Sequence, residues 1–136
     1  MDIVRVAAII YAIVTLGVVA FQIALAAGAP WGAYAMGGAS PGQFPPALRI
    51  AAMTQAALLA GMAAVILARA GLVLPGWSQV SHWLVWIVVA LTALSLVLNL
   101  ITPSAGERAI WAPTLLLLLI SSLIVAFSSS PATYAT

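Results

Sequence analysis

Four long apolar runs, separated by short breaks, decide what this chain can become: residues 3–27, 47–70, 82–101 and 109–128. Each holds about 20 residues or more, the helical length that crosses a hydrocarbon core about 30 Å thick. A soluble fold could in principle bury runs of this kind, but it would need a charged surface around them. Only 4% of these residues are charged and 65% are hydrophobic, whereas about a quarter of a soluble chain is charged. The expected fold class is therefore all-α, an integral membrane bundle of four transmembrane helices in one domain covering residues 1–136. Its first partner is the lipid bilayer.

The formal charge of +2 comes from Arg5, Arg49, Arg69 and Arg108 set against Asp2 and Glu107, with no lysine. Arginines scattered this way make no basic face for nucleic acid and no polybasic cluster for anionic lipid. There is no cysteine, so disulfide and thiol chemistry are excluded. A single histidine, His82, gives no protein-built metal site. No cofactor is expected.

The first apolar run contains Ala24-Leu25-Ala26, which has the small-x-small form of a signal cleavage site. Its apolar core is too long for a secretory signal, and it is read as a retained span. Arg5 near its start can snorkel to the headgroups. Gln22 falls about 8 Å of helix rise inside the far end.

Between the first two runs lies GAPWGAYAMGGASPGQFPPALR, residues 28–49. It carries five of the ten glycines and four of the eight prolines, so it is a loop by mechanism. Yet it has no charge before Arg49 and contains Trp31, Tyr34, Met36 and Phe44. A solvated linker would be polar, so this one is expected to fold back over the bundle as a cap anchored by Trp31 and Tyr34. A re-entrant lid across a cavity is the other reading.

In the second run Ala52, Ala56, Ala60, Ala64 and Ala68 recur every four residues. Such a small-residue ridge lets another helix approach closely. Whether that helix belongs to the same chain or to a second copy, in a homodimer or a larger membrane complex, the ridge leaves open. Trp77, Trp83 and Trp86 mark an aromatic belt around the next boundary, with His82 among them as an interfacial residue. Ser104-x-x-Glu107 before the fourth run is a capping box, and Pro113 should kink that helix and free a carbonyl.

Four spans put the first and third connections on one side of the membrane. This gathers Gln22, Arg49, Gln55, Asn99, Glu107 and Arg108 at one end of the bundle. Buried amides are costly without partners, so Gln22, Gln55 and Asn99 are expected to face inward and share them, around an Arg49–Glu107 pair. Two readings follow, a polar clasp tying helix ends together or a small polar pocket under the first loop. Neither supplies an enzyme, because a lone acid stands without a histidine or a base-activated nucleophile on that side.

Phe21-Gln22, Gly28-Ala29-Pro30-Trp31-Gly32, Gly37-Gly38, Pro46-x-x-Arg49 and Asn99-Leu100-Ile101-Thr102-Pro103-Ser104-x-x-Glu107-Arg108-x-x-Trp111-x-Pro113 together resemble a group of small bacterial four-helix integral membrane proteins to which no activity is assigned. The resemblance covers nearly the whole chain. It implies bacterial origin, four spans and the inner (cytoplasmic) membrane, and it transfers no functional residue. The arginines divide two and two between the sides, so the positive-inside count ties; the terminal amine and the longer loop tip the reading toward an N-terminus inside. The expected function is a non-enzymatic accessory or ligand-binding membrane component working through its loop-one and loop-three face. The alternative is a small-solute transporter or channel assembled as a homodimer.

Overall fold

The computed structural model describes residues 2–128, which form four α-helices and no strand. Helix α1 spans Ile3–Ala26, α2 Pro46–Arg69, α3 Ser78–Ile101 and α4 Ala105–Ala126. All four are long and apolar enough to cross a membrane, as the hydropathy of the four runs requires.

The helix ends follow local chemistry more closely than hydropathy. Asp2 caps α1 by accepting the Arg5 N–H at 2.9 Å. Gly28, at φ 106°, closes it in a Schellman turn, with Gly28 N–H donating to Leu25 O and Ala29 N–H to Ala24 O. Gly71, at φ 78°, ends α2 in the same way. Pro46 opens α2, where its missing N–H costs nothing. Helices α3 and α4 each start four residues before their apolar runs, because polar residues such as Gln79 and Glu107 continue a helix beyond the hydrocarbon. Ser104 accepts the Glu107 N–H at 3.1 Å and fixes the first turn of α4, and that helix continues as one element through Pro113.

The helices pack around a ring in chain order, α1 against α2 and α4, and α3 against α4 and α2; of these four neighbouring pairs α2 and α3 touch least. The half of the bundle away from the first loop is filled. Ala7, Ala8, Tyr11, Ile66, Val85, Val88, Leu118 and Val125 form its core. Thr92 donates to the Val88 carbonyl at 2.7 Å, so Tyr11 donates to the Thr92 hydroxyl at 3.3 Å. At the same end Arg69, only 1% exposed, donates from Nη2 to the Ser128 carbonyl at 2.6 Å and ties the end of α2 to that of α4. A second, smaller cluster of Leu25, Ala35, Phe44 and Ala52 fastens the first loop to α1 and α2.

The alanine ridge does not act as one surface. Ala52, Ala56 and Ala68 are buried, Ala64 is half-buried and Ala60 is exposed. A four-residue step advances about 40° beyond a full turn, so the ridge winds away from its first contact. Replacing Ala52 with leucine is therefore expected to overpack the loop-end cluster and cost about 1–3 kcal/mol. Ala60→Leu should stay within about 0.5 kcal/mol. Thermal unfolding of both variants in one detergent checks the contrast, and equal losses would restore a continuous packing ridge.

Candidate functional site

The first loop is built around a close backbone approach. Gly32 is buried, its N–H donates to Gly42 O at 2.9 Å, and two short 3₁₀ turns, Gly32–Tyr34 and Met36–Gly38, follow. Gly37 and Gly38 adopt φ of 72° and 73°, where glycine meets no steric penalty. The loop is then seated on α4. Trp111 Nε1 donates to Tyr34 O at 2.7 Å, Ser104 Oγ donates to Ala33 O at 2.8 Å, and the Gly37 N–H donates to Glu107 Oε2 at 2.8 Å. The Tyr34 ring lies over Gly106, where a Cβ would come within 2.7 Å of it. Trp31 stacks on Phe21 with centroids 5.9 Å apart, and Phe21 meets Trp111 edge-on at 4.8 Å.

Under this roof the bundle is not filled. A cavity of about 580 Å³ lies between the four helices, with Tyr34, Ala35, Met36 and Gly37 as its ceiling. Val18, Phe21, Leu59, Leu98, Trp111 and Leu115 give it apolar walls. The polar groups that reach it are Gln22 from α1, Gln55 from α2, Ser95 and Asn99 from α3, Thr102 just beyond, and Glu107 and Thr114 from α4. Gln55, Leu98 and Ile101 are exposed as well as lining it, which places a mouth on the loosely packed α2–α3 side.

Four members of the expected polar cluster, Gln22, Gln55, Asn99 and Glu107, thus converge on one space, but not as a clasp. Asn99 Nδ2 donates back to the Ser95 carbonyl at 2.8 Å, and Gln22 Oε1 is buried with no hydrogen-bond partner. No hydrogen bond joins the three amides to one another. The expected Arg49–Glu107 pair is absent; among pairs of described residues the ion pair that forms is Arg5–Asp2 at 4.0 Å. Arg49 Nε instead donates to Phe44 O at 2.7 Å, its guanidinium lying beside Gly28. Arg108 is exposed and donates to Thr102 O at 2.7 Å. Both arginines take the nearest helix-end or loop carbonyl, which a flexible guanidinium reaches sooner than a distant carboxylate.

Glu107 departs from its expected role too. The Ser104 half of the capping box forms, but the carboxylate, on a residue 7% exposed, turns to Gly37 in the first loop. The Ser104 N–H goes to Thr102 Oγ1 at 3.3 Å instead. Sequence reasoning missed Ser95 and the place of Phe21 in the wall, although the topology puts Trp111 at this end of the bundle. Ser95 lies one turn before Asn99, so helical spacing alone could have found it.

Comparison with protein-family models, with curated proteins and with solved structures finds no match for this chain.

Proposed function

We propose that this is a non-enzymatic integral membrane protein of a bacterial cytoplasmic membrane that binds a small molecule in the cavity beneath its first loop. The observation that carries this reading is the contrast between the two halves of one bundle. The far half is packed with buried side chains, whereas the loop half keeps about 580 Å³ unfilled. That volume lies within the range of about 300–1,000 Å³ used by small-molecule sites, and the lining has their usual make-up of apolar walls with a few convergent polar groups. The buried, unpartnered Gln22 Oε1 supports the same reading, since buried polar atoms in folded proteins nearly all have partners. The lone carboxylate has neither a histidine nor a nucleophile–base pair beside it, which favours binding over catalysis.

The alternative, a small-solute transporter or channel working as a homodimer, has one observation in its favour. Polar groups continue below the cavity, with the buried Thr15 hydroxyl unpartnered and Tyr11 bonded to Thr92. Native mass spectrometry of the protein extracted in mild detergent tests the choice. Expected is a single chain with a retained small-molecule mass, lost when Leu59→Trp fills the cavity. Solute flux in liposomes that stops with Gln22→Leu, and no retained mass, would favour the transporter.

A further inference from the structure

The cavity is charged on one side only, and this bears on what it can hold. Glu107 is the one ionisable side chain among the polar groups of the wall apart from the Tyr34 phenol, and it is more than nine-tenths buried. Its Oε2 accepts one backbone N–H, from Gly37, and no basic side chain among the described residues forms a salt bridge with it. Arg49 and Arg108 donate to Phe44 O and Thr102 O, and neither lines the cavity. A buried carboxylate held by one neutral donor keeps most of its lone pairs unused, and a charge in such a place is costly unless a counter-charge joins it.

The neighbouring polar groups lean the same way. Asn99 spends an amide N–H on Ser95 O, and Thr114 spends its hydroxyl proton on Ile110 O, at 2.8 Å each. Trp111 spends its indole N–H on Tyr34 O. Thr114 therefore offers the cavity an acceptor and Trp111 an aromatic face, and Asn99 offers its carbonyl oxygen beside one remaining N–H. Gln22, Gln55 and Ser95 can present either a donor or an acceptor. Phe21 and Trp111 also line the cavity, and aromatic faces attract cations. The rest of the wall is mostly apolar, apart from Thr102, whose hydroxyl accepts the Ser104 N–H and keeps its own proton.

Resting on the binding function proposed above, we infer that the ligand is an amphipathic cation, an ammonium head set against Glu107 with an apolar body along Leu59, Leu98 and Leu115. An anionic head would meet the carboxylate with no basic side chain to offset it. A neutral chain would leave the carboxylate uncompensated.

The test uses the full chain in nanodiscs of zwitterionic lipid, titrated by native mass spectrometry with decyltrimethylammonium, 1-decanol and decyl sulfate. The cation is expected to bind about tenfold or more tighter than the alcohol, the size of one charge contact in a site short of water, with the sulfate weakest. In Glu107→Gln, whose amide oxygen can still accept the Gly37 N–H, the ratio of cation to alcohol affinity should fall to near one. Gln22→Lys, which brings an ammonium into the cavity, should do the same without removing the carboxylate. If cation and alcohol bind equally to the native chain, and Leu59→Trp abolishes both, the cationic class is overturned while the cavity stands as a binding site. If none of the three binds, or Leu59→Trp changes nothing, the binding reading falls and this inference with it.

Discussion

Gly32→Ala is expected to unseat the roof of the cavity. A Cβ at this position would overlap the Ser40 carbonyl oxygen and come within 2.8 Å of Gly42 O. Both atoms belong to backbone, so no side-chain rotation relieves the clash. The Gly32–Gly42 hydrogen bond that closes the loop would be lost with it. Overpacking of this kind costs about 1–3 kcal/mol, but the local result should exceed the global one, because the loop is a small unit fastened to α4 by a few hydrogen bonds. Hydrogen exchange at the Gly37 amide, which donates to Glu107, reads the effect directly. It should accelerate by at least about tenfold in the variant, with helix amides in the filled half unchanged. Unchanged protection at Gly37 would mean that the loop is held by its seat on α4 alone.

Arg69→Ala is expected to give the largest loss of global stability, about 3 kcal/mol. The side chain is 1% exposed, and its guanidinium holds the Ser128 carbonyl at the end of α4. Removing it leaves that carbonyl without its donor and opens a hole between helix ends: a hydrogen bond to a charged group contributes about 1.5–3 kcal/mol, and the void left by a large buried side chain adds to that loss. Arg69→Lys should recover only part, since an ammonium cannot reproduce the spread of a planar fork. Reversible unfolding in mixed micelles measures both variants. A loss below about 1 kcal/mol for Arg69→Ala would show that the two helix ends are joined by apolar packing instead.

The four spans were legible because lipid demands length and apolarity together, and few other folds satisfy both. The loop cap was legible for a related reason, since Trp31, Tyr34 and Phe44 have no place in water. Gln22, Gln55, Asn99 and Glu107 could be grouped because antiparallel spans fix which residues share an end. What the sequence did not carry was the pairing of flexible charged groups. Arg49 and Arg108 were assigned to the cluster by proximity along the axis, but side chains of that length have several carbonyls within reach, and only coordinates decide among them. Arg69 enters the sequence reading only as one of the four arginines of the charge count. Its position completes a run with Met62, Val65 and Ile66 at spacings of three, one and three, the pattern of a buried helix face, and all four are buried. The emptiness of the loop half was hidden for a different reason. Hydropathy reports which residues avoid water, not whether their volumes fill the space between them.

The weak seam between α2 and α3 has a further meaning for how such a site would be filled. Gln55 lies about 13 Å along α2 from its start, and Leu98 about 5 Å from the end of α3, by the helical rise, so the opening would run from near the helix ends down into the acyl chains of one leaflet. A guest arriving there comes sideways out of one leaflet and has already left bulk water. Its supply is then set by its mole fraction in that leaflet, and the same aqueous dose would fill the site to different extents in membranes that dissolve the guest differently. Affinities for the proposed guest would accordingly be comparable only when expressed per lipid.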